Sequence, residues 1–469
     1  MAEKPGSLEK YALAAVMSTS FMVTFMGSSI NLALPSIGAE FHASAIMSSW
    51  VITGYILSTA ALLLPFGHLA DIIGRRKIYL LGTSSFAVIT IAATLSHSIV
   101  PFLIWRILQG TAAALIFGTG MAILTSVYPP QKRGQALGYS TAVTYLGLSV
   151  GPVLGGIMNQ NLGWRSIFYL TACIGIFAAL IIWKRLKGEW AGAGSERFDR
   201  LGSLFYALGL SILLYGLSSL ANVSWAKFAA AGGLLLLLVF IAFELKVEHP
   251  ILQASLFRHN QAFTFSNLAA LINYSATFAI SFLLSLYLQL VVGYNSGQAG
   301  LILLVQPVIM AVFSPLSGSL SDRIEPRLVA SLGMGLSTLG LFGLTFVSAN
   351  THIGLIMSLQ VLSGLGFALF SSPNTNAVMS SVKPRFYGIA SSTLGTMRLV
   401  GQALSMAVVT MVIAIYIGHA SFNASNAPAV LSSMHTSFRV FTVLCVLGVL
   451  ASLARGQVRP TPAEKQPAS

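Results

Sequence analysis

The chain is 469 residues long, 55% hydrophobic and only 8% charged, with a formal net charge of +14. That composition excludes disorder and an ordinary soluble domain, and it reads as a polytopic membrane protein. The basic surplus raises nucleic acid as a partner, but its distribution along the chain follows membrane topology instead.

The first ten residues are polar, and the apolar stretch after them is a full span long. It reads as a membrane helix rather than a cleaved signal peptide. A membrane helix needs about 20 apolar residues. Fourteen stretches meet that length, at roughly 11–34, 47–66, 78–97, 101–125, 136–159, 166–185, 201–220, 226–245, 262–287, 298–320, 328–348, 352–377, 388–414 and 437–456. Open sheets cannot span lipid, so all fourteen are expected to be helices. The polar linker from Lys184 to Arg200 closes a group of six spans; two spans and a second linker from Glu244 to Asn260 precede six more. The expected architecture is an all-α integral membrane protein. Residues 1–190 form one six-helix bundle, 191–260 a linker and two-helix insert, and 261–469 a second bundle with a short tail.

Lys and Arg collect on one side of the spans, among them Lys10, Arg75, Arg76, Lys77, Lys132, Arg133, Arg323, Arg327, Lys383 and Arg455. The other side keeps Arg165, Lys227 and Arg439. This positive-inside pattern places both termini in the cytoplasm and the chain in the cytoplasmic membrane. Cys173 and Cys445 both lie inside apolar spans, so neither a disulfide framework nor a metal site is implied.

Between spans 2 and 3 stands Gly67-x-Leu69-x-Asp71, followed by Gly74, Arg75 and Arg76; it recurs as Gly318-x-Leu320-x-Asp322 with Arg323. Likewise Gly134, Ala136 and Gly147 recur as Gly388, Ala390 and Gly401. Internal duplication of this kind is typical of secondary transporters, with the site between the halves near the midplane. Asp71 ends a helix, where the dipole disfavours a carboxylate. It is expected to seek the start of span 13 near Gly388, and Asp322 the start of span 5 near Gly134. Such contacts would lock the bundles together on the cytoplasmic side; the plainer alternative is a turn signal with positive-inside arginines.

Arg106 in span 4 lies about 9 Å inside the outer end. An intramembrane arginine is a functional hypothesis by default, against the alternative of snorkelling outward. In span 5, Gly147, Gly151 and Gly155 share one helix face with Pro152 and Gly156 beside them, a surface for close helix approach with a bend at the proline. Arg398 in span 13 is about 15 Å deep, where snorkelling is hardest. It is expected to face the cavity or to pair with Gln402 or Asn374. Polar candidates for the substrate or proton pathway are Asn31, Tyr55, Gln109, Tyr145, Asn273, Tyr274, Gln306, Gln360, Asn374 and Gln402. Interhelical hydrogen bonds would explain any one of them equally well.

The run Gly147-x-x-x-Gly151-Pro152-x-x-Gly155-Gly156 resembles the antiporter motif of exporters in the major facilitator superfamily. The Gly67–Lys77 string resembles that superfamily's loop signature, which acts there as a conformational lock. Ile72 departs from it, standing where an arginine is usual. Arg106-x-x-x-Gly110 resembles the RxxxG motif associated with proton coupling. Asn31-Leu32-Ala33-Leu34-Pro35, Gly163-Trp164-Arg165, Phe198-Asp199-Arg200-Leu201-Gly202 and Tyr287-Leu288-Gln289, with fourteen spans, resemble the 14-spanner drug:proton antiporters. The resemblance implies two six-helix bundles that rock about a central cavity, proton-driven multidrug efflux of small amphipathic compounds, and no cofactor or enzymatic activity.

One departure bears on substrate charge. The family usually carries an Asp in span 1, nine residues before the proline of its NxALP string; that position is Met26 here. All twelve acidic residues and every histidine fall outside the centre of the spans as read from the sequence. A cavity with arginine and no acid should favour neutral or anionic substrates over lipophilic cations. Protons then use the Asp71 or Asp322 region, travel on the substrate, or are uncoupled. A carrier of lipids or anionic metabolites is the alternative within transport, and a non-transporting membrane scaffold or sensor the alternative outside it.

Overall fold

A computed structural model describes residues 7–191, 197–248, 250–383 and 387–456. Among the described residues fourteen helices are long and apolar enough to cross a membrane. Spans 1 to 6 are Leu8–Glu40, Ala45–Ile73, Arg75–Thr94, Ile99–Val127, Gln135–Leu162 and Arg165–Lys184. Spans 7 and 8 are Arg200–Ser219 and Ala226–Glu244. Spans 9 to 14 are Gln261–Val291, Ser296–Ser321, Pro326–Leu344, Ile353–Ser380, Ile389–Tyr416 and Ala424–Ala454. Number and order agree with the sequence reading. An even count returns the chain to the face on which it began. That face carries most Lys and Arg and is termed the basic face, and its opposite the far face.

Three elements depart from plain helices of the expected length. Span 9 is broken into Gln261–Thr277, Ile280–Leu286 and a π-helical turn at Tyr287–Val291. The first break has a local cause: the Ala279 N–H is taken by the Ser405 hydroxyl of span 13 at 3.2 Å. Span 10 is interrupted between Leu303 and Val305. Pro307 follows one turn later and has no N–H to return to the Leu303 carbonyl. Span 14 starts well before residue 437, because Pro428 suits a helix first turn and the polar Ser432–Thr436 stretch continues the helix. Arg439 is therefore corrected from a far-side position to an exposed residue within span 14.

Spans 1 to 6 pack among themselves, as do spans 9 to 14. The two bundles meet along span 2 with span 13, span 5 with span 10, and span 1 with span 9. Span 7 rests on both span 2 and span 13, so the insert covers one of these seams. Span 8 lies outside it and buries only Ala226, Gly233, Phe240 and Glu244. The far end of the first bundle is tied by Arg165, which pairs with Glu40 at 2.7 Å and donates to the Thr94 carbonyl at 3.0 Å.

Candidate functional site

Arg398 sits about eleven residues into its helix from the basic face and is half-buried. Its guanidinium donates to the Thr375 hydroxyl of span 12 at 2.6 Å and lies 5.6 Å from the centre of the Tyr274 ring of span 9. Its Nε is enclosed and has no partner among the described residues. Tyr274 stands edge-on to Phe367 at 5.3 Å, and both pack with Met310 of span 10. Tyr145 crosses from the first bundle to this cluster. Its phenol oxygen accepts from Ser314 of span 10 at 3.3 Å, close to Ser371 of span 12. Three aromatic rings, three hydroxyl-bearing side chains and one guanidinium with a donor to spare thus meet halfway through the helices, where the bundles touch. Such a set can hold an aromatic or apolar body by its faces and an electron-rich group by hydrogen bonds.

Contacts between the bundles run outward from Tyr145–Ser314. Asn31 donates to Ser281 at 3.5 Å, and its carbonyl accepts from Ser285 at 2.8 Å. Thr53 and Thr410 share a hydrogen bond of 3.0 Å. Nearer the far face, Ser296 donates to the Gly156 carbonyl at 2.9 Å and the Ala45 N–H to the Ala420 carbonyl at 2.7 Å. The far half is therefore the closed half in this structure.

The glycine motif of span 5 divides its work. Gly147, Gly151 and Gly155 lie against Thr24, Ser28 and Ser29 of span 1, inside their own bundle. Gly156 instead faces Ser296 and Gly297 of span 10, and the Pro152 carbonyl faces Gly300. Pro152 is accommodated within one continuous helix, Pro130–Leu162. The motif is thus a packing rail on one side and a bundle-to-bundle contact at its far end. Gly156→Leu is expected to force the far-face contact apart, since overpacking costs about 1–3 kcal/mol. Accessibility of a cysteine placed in the far half of span 10 should rise at least fivefold. Gly151→Leu should instead lower melting temperature, because it meets span 1 and not the opposite bundle.

Several other candidates are placed away from this junction. Met26 is buried within the first bundle, and its sulfur accepts from the Thr171 hydroxyl of span 6 at 3.6 Å. This corrects its assignment to the central pathway: it is a packing residue between spans 1 and 6. Arg106, Gln109 and Tyr55 form an enclosed network among spans 2, 3 and 4. Arg106 donates to the Val51 carbonyl at 2.9 Å and to Gln109, lies 4.5 Å from the Tyr55 ring centre, and Gln109 donates to Thr90 at 2.6 Å. The arginine is buried and does not snorkel. Asn374 joins span 9 to span 14, donating to the Ser266 carbonyl at 3.1 Å and accepting from Arg455 at 3.2 Å. It does not pair with Arg398; its neighbour Thr375 does. Gln402 and Gln306 are half-buried, and Asn273 and Gln360 are buried with unpartnered amides among the described residues.

At the basic face Asp71 pairs with Arg75 in its own bundle at 2.6 Å, and Arg75 donates to Ser126 of span 4 at 2.7 Å. This differs from the expected contact with span 13. Arg76 donates to the carbonyls of Ile182 and Trp183 at the end of span 6, where a cation complements the helix dipole. Gly74 holds φ at 125° against Glu189, whose carboxylate accepts the Arg76 N–H at 2.7 Å. In the second copy Gly318 lies against Ser372 and Arg323 is exposed, while the Asp322 side chain and Gly388 lie outside the described residues.

Sequence reasoning missed Thr375, Met310, Phe367, Ser314 and Ser371, which carry no signal apart from their helices. It also placed Arg455 in the basic loops. The side chain is buried at the end of span 14, bound to Ser452, Ser266 and Asn374. Burial pulls its pKa down to about 10, so it stays charged at neutral pH.

Two helical bundles with a polar–aromatic cluster at their junction define a multi-pass membrane transporter, not an enzyme. The chain belongs to the major facilitator superfamily, whose family model matches residues 16–405 and 266–469. Its fourteen spans fit the 14-span drug:proton antiporters within it. The chain is 29% identical to the riboflavin transporter RibZ of Clostridioides difficile (strain 630), over 92% of this chain and 94% of that one. It is 30% identical to the multidrug resistance protein Stp of Mycobacterium tuberculosis, over 85% and 74% respectively. Its fold is similar to a bacterial homolog of the human lysosomal transporter Spinster in an inward-facing, unoccupied conformation. That likeness has a TM-score of 0.69 at 16% identity, covering 98% of this chain and 100% of the other.

Proposed function

We propose that this protein is a secondary active exporter of small amphipathic compounds, neutral or anionic, driven by the proton gradient across the cytoplasmic membrane. The observation that carries the reading is Arg398 with its unpartnered Nε, set beside Tyr274 where Tyr145 of the opposite bundle arrives. The basic face is the cytoplasmic face, by the distribution of Lys and Arg, and both termini lie there. With the far half closed, the structure is then an inward-facing state. The similar multidrug resistance protein Stp and the cephamycin export protein CmcT of Amycolatopsis lactamdurans support efflux, and riboflavin transport by RibZ supports an aromatic, uncharged or acidic cargo.

No acid or histidine among the described residues lines the junction, so protons would use the Asp71 or Asp322 region or travel on the substrate itself. Proteoliposomes with an imposed pH gradient test this coupling. Collapsing the gradient with an uncoupler should stop uphill transport. Uphill transport that persists without a gradient would contradict it. A substrate that has no acid group and still requires the gradient would assign the proton to the protein.

The lock gives a second expectation. In the outward-facing state Asp71 would leave Arg75 for the start of span 13. Asp71→Asn removes the charge that draws it to a helix N-terminus, a contact of about 0.3–2 kcal/mol. The population should move toward the inward-facing state by up to roughly thirtyfold. Cysteine labelling from the cytoplasmic side reads the shift, and unchanged labelling would remove the lock from the account.

A further inference from the structure

The insert contains a pair of carboxyl groups away from the bundle junction. Asp199 caps span 7, its Oδ1 accepting the Gly202 N–H at 2.9 Å. Glu244 ends span 8, and one oxygen accepts the Leu252 N–H at 2.8 Å. Both residues are buried, 9% and 3% exposed. Their remaining oxygens, Asp199 Oδ2 and Glu244 Oε1, both crowd the face of Gly202 that carries no side chain, within 2.5 Å of where its Cβ would stand. Neither oxygen has a hydrogen-bond partner among the described residues.

Two buried carboxylates crowded at one point are both acceptors and repel each other, and a hydrogen between them relieves both problems. The neighbouring donors are backbone N–H groups, which suit anions and not a metal. Two free oxygens also fall well short of the roughly six to eight that a calcium-sized cation takes. The occupant is therefore a proton. The surrounding charges do not replace it. Arg197 and Arg200 beside Asp199, Lys246 and Glu248 beyond span 8, and Arg258 before span 9 are all exposed. His68 of span 2 stacks on Phe198 at 5.9 Å rather than on either carboxyl. Neither carboxyl forms an ion pair among the described residues.

The position gives this proton mechanical leverage. Phe198 rests on His68 within the lock motif, and Tyr206 of span 7 donates to the Ala60 carbonyl of span 2 at 2.9 Å. The start of span 7 is thus attached to the first bundle. Leu252 belongs to the segment that leads into span 9 and the second bundle. We propose that Asp199 and Glu244 share one proton that clamps the segment leading into the second bundle to the start of span 7. Releasing the proton to the solvent leaves two buried anions side by side. Glu244 then withdraws and the Leu252 N–H loses its acceptor. The clamped form holds one proton more than the released form, so rising pH favours release. This inference is independent of the substrate reading.

Hydrogen exchange of the peptide spanning 245–253 in the full-length protein tests it, measured from pH 5.5 to 8.5 and corrected for intrinsic exchange. In the wild type, protection should fall at least tenfold across that range. Glu244→Gln supplies an amide that donates to Asp199 without a proton, so its protection should change less than twofold. Asp199→Asn does the same from the other side and serves if Glu244→Gln does not fold. Parallel pH profiles in wild type and variant, or a flat wild-type profile, would overturn the proposal. So would protection that follows sodium against choline rather than pH.

Discussion

Arg398→Gln is expected to lower the flux of an anionic substrate by about a hundredfold while changing that of a neutral analogue less than threefold. A charge-assisted hydrogen bond contributes about 1.5–3 kcal/mol. Each 1.36 kcal/mol is roughly a factor of ten in rate. Among the described residues Arg398 supplies the charge with no acid paired to it, and its enclosed Nε is a donor without a partner. Gln retains a donor toward Thr375 but no charge, so the loss should fall on anions alone. Initial rates in proteoliposomes for two cargoes matched in size give the ratio. Equal losses for both would make Arg398 a residue that only ties span 13 to span 12.

Met26→Asp is the second large effect, and its direction follows from the structure rather than from the family pattern. An acid at this position marks cation-exporting relatives, so the sequence alone suggests that Asp would admit cations. Here the side chain is buried, with the Thr171 hydroxyl of span 6 against its sulfur. An uncompensated buried carboxylate typically costs several kcal/mol. Asp at position 26 is expected to lower melting temperature by at least 10 °C or abolish folded yield, without cation flux. Met26→Leu, which keeps the volume, should be close to wild type. A stable Met26→Asp protein that exports a quaternary ammonium dye would contradict this placement.

The contrast shows what the sequence carries and what it leaves out. Lipid imposes span length and helical form, so the fourteen helical spans were legible by counting residues. The lock and glycine motifs were legible because they recur or keep a helical period. Rotation about a helix axis was not legible, because a helix that is apolar on every side has no face to distinguish. Met26 could therefore be numbered but not oriented. The same holds for Phe367 and Met310, whose role comes from meeting Tyr274 across two helices. Arg439 was misplaced for a different reason. Serines and threonines bond back to their own helix, as Ser432 does to the Pro428 carbonyl at 3.0 Å. Span 14 therefore passes through residues that a hydropathy reading excludes. Gly156 shows the remaining gap: it is one glycine among four in the motif, yet it alone of those glycines faces span 10.

The central claim is that an arginine–aromatic site at the bundle junction carries cargo and selects against positive charge. Flux of one aromatic scaffold in anionic, neutral and quaternary ammonium forms, through wild-type protein in proteoliposomes under a fixed pH gradient, tests it most directly. The account predicts that the anionic and neutral forms are exported and that the cationic form moves at least tenfold more slowly. Export of the cation at the rate of the anion would contradict it.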